Sequence, residues 1–411
     1  MLAAVLKVAA GTFHSVLVRE DGSVWGTGLN SLGQIGLGEA TYESKIFVPV
    51  IESGVIATAI GTDHTMVLKQ DGIVWVTGEN SNGQLGDGTI AGRSTFSPIR
   101  TFPGGVHAVA AGSYHSIVLT KEGRVWTTGW NKRGQLGDGS YNDRTSFFKL
   151  VPFGVMAIAA GDVHTILLKS DGSLFAAGRN YNGQLGDGSR NDRKSFVKVI
   201  SSGVAEVSTG GYHTLVLKQD DSVWATGWNA YGQLGDGTTT DSTKYREVVS
   251  GHQECKPKAI AAGRRHSLML KEDGSIWATG YNRYGQLGNR CTSNSIMFVM
   301  VMSHGAKGVA AGAFHSMAIS NDNSVWYAGS NKYGQSGDRE IVSMDVFTEI
   351  RQFTKGSGHY SVPHVHLHDP VSASPCDIVF RIMCLTSYLP TCLFVNICLL
   401  LYYLLSCKGT G

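Results

Sequence analysis

The sequence predicts an all-β protein, a seven-bladed β-propeller with four-stranded blades, plus a C-terminal hydrophobic tail. Three observations support this prediction. A unit of about 50 residues recurs seven times, each unit contains four short apolar segments separated by turns, and 53 of the 411 residues are glycine, against a usual share of ~7%. Four short strands bury both faces of their sheet only when the units stack radially around an axis.

Histidines in a Gly-x-x-His motif mark the period. They are His14, His64, His115, His164, His213, His266 and His315. A large aromatic residue follows each histidine, and a Gly-Gln loop follows each aromatic. The aromatic residues are Trp25, Trp75, Trp126, Phe175, Trp224, Trp277 and Trp326. We predict that both sets are structural, the histidine satisfying a turn or strand-end backbone group and the aromatic filling the gap between blades.

Within a unit, the first strand has small side chains, as in residues 106–112, and suits the crowded axis. The second is aliphatic and ends in an Asp-Gly or Glu-Gly turn, such as Asp21-Gly22, which is a strong hairpin pattern. The third carries the aromatic, and the Gly-Gln loop leads to a fourth, outer strand. A linear solenoid is the competing architecture, but it needs capping repeats, and the terminal units are as complete as the middle ones.

The predicted domains are the propeller over residues 1–352, a linker over 353–377 and a hydrophobic tail over 378–411. The apolar N-terminus aligns with the first strand of later units, so we interpret it as a strand and not a signal peptide. Ile382 to Cys407 contains no charged residue, and this run exceeds the ~20 residues that span a bilayer. We expect a membrane anchor that leaves the propeller in the cytosol; a gene-model artefact and a helix packed on the propeller are the alternatives.

Only Cys255 and Cys291 lie in the repeats, which indicates a reducing compartment, cytoplasmic or nuclear. A metal ring or catalytic base made of the seven histidines is disfavoured, because a metal site or triad would break the sevenfold pattern at one place. The glycine strings lack the Gly-x-x-x-x-Gly-Lys-Ser/Thr of a phosphate loop. We therefore predict no enzyme activity, no cofactor and no metal.

Function should lie where the repeats differ. The variable pair between Gly and His gives one predicted patch: Tyr114, Tyr212, Arg264, Arg265 and Phe314. The variable positions before the Gly-Gln loop give a second: Trp130, Lys132, Arg133, Trp228, Tyr231, Arg283 and Tyr284. Aromatic and arginine side chains are enriched in protein interfaces, so we expect a monomer that binds a protein partner. The net charge of +3 does not favour nucleic acid or chromatin.

The motif Ala-Ala-Gly-x-x-His-Ser, followed by Asp-Gly-Ser-Val-Trp-x-Thr-Gly-x-Asn-x-x-Gly-Gln-Leu-Gly-Asp-Gly, resembles the repeat of the regulator of chromosome condensation (RCC1-like) family over about residues 1–350. The resemblance implies a seven-bladed propeller. Family members include the guanine-nucleotide exchange factor for the small GTPase Ran, the plant ultraviolet-B photoreceptor and propeller modules of ubiquitin ligases. The resemblance therefore implies the fold firmly and the function loosely.

Two differences from these relatives determine how we rank the candidate functions. The exchange factor looks like a propeller with an added β-wedge, whereas the longest interval here adds only a few residues near 250–258. The photoreceptor senses light with tryptophans in Gly-Trp-Arg-His-Thr motifs, and the matching stretches here, Gly-Tyr212-His213-Thr214 and Arg264-Arg265-His266, contain no tryptophan. We expect a protein-binding scaffold first, exchange on a Ran-like GTPase second, and photoreceptor-like or chromatin binding last.

Overall fold

The computed structural model describes residues 4–38, 41–99, 102–150, 154–340 and 342–353. The described residues all belong to one compact unit. The predicted hydrophobic tail and all of the predicted linker except residue 353 lie outside the described residues. Within the described part of the chain, no helix is long and apolar enough to cross a membrane.

Twenty-eight strands and one 3₁₀ turn make up the described fold. The strands are β1 (Val5–Ala10), β2 (His14–Arg19), β3 (Val24–Leu29), β4 (Glu43–Ile51), β5 (Val55–Ile60), β6 (His64–Lys69), β7 (Val74–Gly78), β8 (Arg93–Pro98), β9 (Val106–Ala111), β10 (His115–Thr120), β11 (Val125–Gly129), β12 (Arg144–Lys149), β13 (Val155–Ala160), β14 (His164–Lys169), β15 (Leu174–Gly178), β16 (Arg193–Ile200), β17 (Val204–Thr209), β18 (His213–Lys218), β19 (Val223–Gly227), β20 (Ser242–Val249), β21 (Pro257–Ala262), β22 (His266–Lys271), β23 (Ile276–Gly280), β24 (Ser295–Met302), β25 (Ala306–Ala311), β26 (His315–Ser320), β27 (Val325–Gly329) and β28 (Met344–Glu349). The 3₁₀ turn is Arg351–Phe353.

The strands form seven antiparallel four-stranded sheets, each built from four consecutive strands in sequence order. The predicted all-β propeller with four-stranded blades is confirmed. β1 of the first blade packs against β25 and β26 of the seventh, so the blades close into a ring and the solenoid alternative is wrong. Because every blade is complete within one stretch of sequence, blade 7 meets blade 1 by packing and not by exchanging a strand.

The first strand of each blade lines the axis, because only small side chains fit where seven sheets converge. The axial channel is lined at its mouth by glycine from all seven blades and by alanine from five of them, and it encloses about 80 Å³. The second strands are almost wholly buried, and β2 and β10 are buried along their whole length. The fourth strands are half-exposed at the rim, as in β16, which matches the predicted inner-to-outer order.

The turns between second and third strands adopt the backbone conformation that the Asp-Gly pairs indicate. Gly22 has a φ of 73°, and the two substituted turns place Asp221 at 65° and Asn323 at 71°. Positive φ is costly for most side chains but tolerated by aspartate and asparagine. Blades 5 and 7 therefore keep the same hairpin without glycine.

The repeated aromatic packs between its own blade and the preceding one. Trp126 of blade 3, for example, lies against a buried cluster that includes Met66 of blade 2, and its ring meets Phe102 edge-on at 5.7 Å. In five blades the cation at the end of the second strand covers the aromatic face; the pairs are Arg19–Trp25, Lys69–Trp75, Lys169–Phe175, Lys218–Trp224 and Lys271–Trp277. These contacts join apolar burial to a cation–π attraction.

The 3₁₀ turn at the end of the described chain fastens blade 7 to blade 1. The Gln352 side chain accepts a hydrogen bond from the Phe47 amide at 2.9 Å and donates one to the Phe47 carbonyl at 2.7 Å. This pairing imitates a strand partner, since the amide side chain offers one donor and one acceptor. It strengthens the junction where the two ends of the ring meet.

Candidate binding face

A belt of hydrogen bonds runs around the ring and involves all seven repeat histidines. Each Nε2 lies 2.9–3.0 Å from the hydroxyl of the Ser or Thr that follows the histidine in the next blade. Each hydroxyl also donates to the carbonyl of a Gly-Gln loop glutamine at 2.6–2.8 Å. The bond from His315 to Ser15 closes the belt. The histidine partner is thus a neighbouring hydroxyl, whereas the sequence had suggested a backbone group.

The belt fixes the tautomer of the neutral histidine rings. Since the single hydroxyl proton goes to the carbonyl, the hydroxyl must accept from Nε2–H, which leaves Nδ1 without a proton. Each Nδ1 is buried without a hydrogen-bond partner among the described residues. Burial lowers the pKa of His64 to about 4 and that of the other six to about 3. The neutral histidine rings join adjacent blades in the same way at all seven junctions.

The glycine of Gly-x-x-His is needed for close approach. A Cβ on Gly61 would lie 2.3 Å from the His64 ring and 2.4 Å from the Gly112 carbonyl of the next blade. On six of the seven such glycines, an added Cβ would lie within 2.5 Å of the carbonyl of the equivalent glycine in the next blade. The motif therefore sets the spacing of blades at the axis.

The glutamine and asparagine of the Asn-x-x-Gly-Gln loop hold that loop in place. Each buried asparagine accepts a backbone hydrogen bond from the residue after the glutamine, at 2.8–3.0 Å. Each glutamine accepts from the amide two residues before it, at 2.9–3.1 Å. Those amides belong to variable residues, among them Arg133, Tyr231 and Tyr284. Invariant side chains thus fix the backbone that carries the variable ones.

Both predicted patches lie on the same face of the ring. The histidine that begins each second strand pairs with the glycine that ends the third, as His213 does with Gly227. The Trp228 amide then donates to the Tyr212 carbonyl at 2.8 Å. The loop between first and second strands therefore lies beside the loop after the third strand in every blade. We call this surface the loop face.

Eight aromatic side chains on the loop face form a continuous series, which we call the aromatic arc. Its members, in order of contact, are Tyr212, Trp228, Tyr231, Tyr281, Tyr284, Phe314, Phe13 and Tyr333. Successive ring centroids are 4.7–6.2 Å apart. The arc covers blades 5, 6, 7 and 1, so the sevenfold pattern is broken in one sector.

Arg265 lies over the middle of the arc. Its guanidinium carbon is 5.5 Å from the Trp228 ring, 5.6 Å from Tyr231 and 5.8 Å from Tyr281. All four side chains are half-buried. A planar cation held against three aromatic faces forms a surface that is both apolar and positively charged.

Arg264 has a different task at the channel mouth. Its Nε donates to Asp162 of blade 4 at 2.9 Å, across the intervening blade 5. Burial is the largest single influence and opposes the charge, but Asp162 and Tyr212 together raise the pKa of Arg264. The path crosses Gly211, where a Cβ would lie 2.8 Å from the Arg264 Cγ and 3.0 Å from an Asp162 oxygen. The missing side chain at Gly211 therefore admits this ion pair.

Blade 2 carries negative charge on the same face. Burial, and then the charge of Glu79, raise the pKa of Asp63 to about 6. Burial also raises the pKa of the neighbouring Tyr114, and Asp63 adds to the shift. The loop face therefore has a basic and aromatic sector and, separately, an acidic one.

The remaining predicted residues are brought to the loop face but lie outside the arc. Tyr114 meets Trp130 edge-on at 6.2 Å on blade 3. Lys132 pairs with Asp143 at 3.4 Å, and Arg133 pairs with Asp192 at the same distance. Arg283 is exposed beside Tyr284. The two predicted patches are thus parts of one surface. Residues of that surface group by the blade they belong to and not by which of the two loops carries them.

Sequence reasoning left out Tyr281 and Arg179, which the structure places on the loop face. Both occupy the position directly after the last glycine of the third strand, the position that Trp130 and Trp228 occupy in their own blades. That position holds six different residue types in the seven blades. A third variable set was therefore present in the sequence and would have indicated both residues.

The aspartates of the Gly-Asp-Gly loops have structural partners. Asp87, Asp138 and Asp187 accept hydrogen bonds from the arginine that begins the following strand, at 2.6–2.9 Å, and from a nearby Ser or Thr. Hydrogen bonds from the hydroxyl and the guanidinium hold the pKa of these carboxyls below its usual value, against the effect of burial. Among the described residues, no group of three or more His, Cys, Asp or Glu side chains could hold a metal ion.

These observations define a class of protein: a closed repeat propeller whose invariant residues build the ring and whose loop face differs from blade to blade. Models of the regulator of chromosome condensation (RCC1) repeat match this chain in all seven units, at residues 5–34, 55–84, 106–135, 156–184, 204–233, 258–286 and 306–335. A second model with the same description matches five stretches between residues 71 and 319. The chain belongs to the RCC1 repeat family.

Solved structures agree with this assignment. The crystal structure of human WBSCR16 is 25% identical over 78% of this chain and 88% of its own, with a TM-score of 0.71. Yeast RCC1 (Prp20), bound to Kap60, is 22% identical over 85% of each chain, with a TM-score of 0.73. A structure of Prp20p from Saccharomyces cerevisiae, reported with its binding to Gsp1p and histones, gives the same identity and TM-score and covers 85% of this chain and 87% of its own. The likeness to Prp20 concerns the fold alone.

Proposed function

We propose that this chain is a non-catalytic, protein-binding propeller that recognises its partner through the aromatic arc and Arg265. The single observation that carries the proposal is the break in rotational equivalence over blades 5, 6, 7 and 1. Seven repeats that build the ring with the same atoms have no structural need for eight aromatic rings on one sector of one face.

The chemistry of the arc suits a protein partner. Tyrosine, tryptophan and arginine dominate the energetic centres of protein interfaces, because each combines a large apolar area with a polar or charged end. The Tyr284 side chain is 40% exposed, and it packs against the half-buried ring of Tyr281. A partner would gain apolar burial with little loss of side-chain entropy, since these rings are already ordered against each other.

The test compares partner capture by two chains. We expect the double substitution Tyr231→Ala with Arg265→Ala to abolish capture of the interacting proteins that the unaltered chain retains, as measured by quantitative affinity mass spectrometry. Arg124→Ala is the control, because Arg124 is a half-exposed arginine on the opposite face, paired there with Glu122 at 2.6 Å. Identical sets of captured proteins for all three chains would contradict the proposal.

Exchange of guanine nucleotide on a small Ran-like GTPase is the second candidate. It is supported by the fold shared with Prp20p, a protein reported to bind Gsp1p. An exchange factor works by binding the nucleotide-free GTPase and needs no bond chemistry. The connection over residues 250–256 leads from β20 to β21 on the face opposite the arc, so it offers no wedge beside the arc.

Nucleotide release separates the two candidates. The full chain is incubated with small GTPases loaded with fluorescent GDP, and accelerated release that Arg265→Ala abolishes would establish exchange. If release stays at its intrinsic rate while partner capture depends on the arc, the scaffold function is retained and exchange is wrong.

We further propose that the propeller works in a reducing compartment, the cytoplasm or the nucleus. Cys255 and Cys291 are free thiols, and they lie in different parts of blades 5 and 6. Free cysteines of this kind suit a reducing environment better than a secreted one. Membrane anchoring through residues 378–411 remains a prediction from sequence, and imaging a fluorescent fusion with and without residues 376–411 tests it.

A further inference from the structure

A second recess on the loop face lies between blades 3 and 4, next to the Tyr212 end of the aromatic arc. It has a volume of about 550 Å³, within the range of small-ligand sites. Its lining includes Arg133, Tyr141, Arg179, Tyr181, Arg190 and Asp192. Three guanidinium groups and one carboxylate thus line a single recess, which leaves an excess of positive charge.

Two of the three arginines are only loosely held by carboxylates. Arg133 lies 3.4 Å from Asp192, and Arg190 lies 3.5 Å from Asp241, with about half of each arginine side chain exposed. Long, exposed ion pairs of this kind contribute little stability. Their guanidinium groups therefore retain donors for an incoming anion.

Arg179 has no carboxylate partner among the described residues. Its guanidinium carbon lies 5.9 Å from the Tyr181 ring and 5.4 Å from the Tyr212 ring, so aromatic faces hold it in a half-buried position. The Arg190 side chain is also oriented, because it donates to the Tyr181 carbonyl at 2.8 Å. Tyr181 is thus placed between two guanidinium groups and positions both.

The number of donors favours phosphate over carboxylate. A carboxylate has two oxygens and one charge, and one arginine satisfies it through two parallel hydrogen bonds. A phosphate monoester carries about −1.5 to −2 charges at pH 7 and three terminal oxygens. Three guanidinium groups around one recess match the second ligand in both charge and geometry.

We propose that this recess binds a phosphate monoester on a serine or threonine of the protein partner. The inference rests on the proposed function, because the phosphate is carried by a segment of that partner. The recess lies beside the arc, since Tyr212 belongs to the arc and contacts Arg179. Phosphorylation of the partner would then strengthen its binding on the loop face.

The test uses the full chain and three fluorescent peptide libraries that differ only in one fixed central residue: phosphoserine, glutamate or serine. Fluorescence anisotropy measures binding. We expect the phosphoserine library to bind roughly tenfold more tightly than the glutamate library, and inorganic phosphate to compete with it. Arg179→Ala and Arg190→Ala should each weaken phosphoserine binding by roughly tenfold, whereas the control Arg124→Ala should leave it unchanged. Thermal melting of each variant confirms that it is folded.

Each outcome decides the inference. Equal binding of the phosphoserine and glutamate libraries would make the recess a general acidic-peptide site and overturn it, as would full phosphoserine binding by folded Arg179→Ala and Arg190→Ala chains. The arc variant Tyr231→Ala with Arg265→Ala should still bind the phosphoserine library. Failure of the phosphate inference is therefore visible separately from failure of the arc to capture a partner.

Discussion

The layer between the blades and the loop face are built by the same seven repeats, yet they use sequence in opposite ways. Between the blades, every histidine bonds the hydroxyl of the next blade within a spread of 0.1 Å, at 2.9–3.0 Å. On the loop face, the position directly before each histidine holds residues as different as Asp63, Val163 and Arg265. In each repeat, the histidine thus stabilises the ring, while the residue directly before it belongs to the variable surface.

The comparison shows that a residue repeated in every blade has a structural role in the ring, whereas a residue that varies between blades does not. The belt needs identical donors and acceptors because each blade must meet two neighbours with the same geometry. The variable side chains of the loop face take no part in the belt, so they are free to differ as long as the Gly-Gln loop keeps their backbone fixed. Changes in the two regions should therefore differ in kind: loss of stability in one and loss of binding in the other.

Acid should produce the largest effect on the layer between blades. The folded state keeps the seven histidines neutral down to pH 3–4, whereas the unfolded chain protonates them near pH 6.5. Stability is therefore complete above pH 6.5 and falls with decreasing pH, by up to about 1.4 kcal/mol per pH unit for each histidine. Steep unfolding between pH 6.5 and 4, followed by circular dichroism, is the expected result.

Carboxyl groups with raised pKa values act in the opposite direction, and two of them have large shifts. Burial raises the pKa of Asp63 to about 6 and that of Glu206 to about 7, so the folded state takes up these protons first and gains stability as the pH falls. Two such groups offset only part of the effect of seven histidines. As a check, His164→Gln should make the pH dependence shallower, and a profile that stays equally steep would contradict the role of the belt in acid unfolding.

A matched pair of tryptophans gives the next largest effect. Trp126→Ala should lower the free energy of unfolding by about 3–5 kcal/mol, because it leaves a cavity between blades 2 and 3. Trp130→Ala, four residues later on the loop face, should cost about 1 kcal/mol or less. Urea unfolding of both variants measures the contrast, and equal losses would show that the two tryptophans do not belong to different regions.

Gly211→Ala should have the smallest effect on stability and a local effect on the loop face. The new Cβ would press on Arg264 and Asp162, so we expect the ion pair to separate at a cost of about 1 kcal/mol. Ala313 occupies the equivalent position in blade 7, and Ala313→Gly serves as the matched control. Chemical shifts of the Arg264 Nε–H report the change, and an unchanged resonance in Gly211→Ala would argue against the ion pair.

Some residues could be assigned a role from the sequence and others could not. Trp126 and His164 could be assigned structural roles from their recurrence alone, and Tyr231 could be placed on a face. The hydroxyl partner of each histidine could not be predicted, because that contact joins residues about 50 positions apart in different blades. The arc was also hidden, since Tyr231 and Tyr281 meet only because neighbouring blades place their loops side by side.

The sequence by itself determined the seven units, their four-stranded blades and the residues that every blade needs, because those depend on short-range patterns repeated along the chain. The tertiary structure alone decided that both variable sets share one face, that eight aromatic rings join across blades 5, 6, 7 and 1, and that Arg264 reaches Asp162 over Gly211. The physical reason is that ring closure brings together loops from different repeats, and no local pattern in one repeat records which loops become its neighbours.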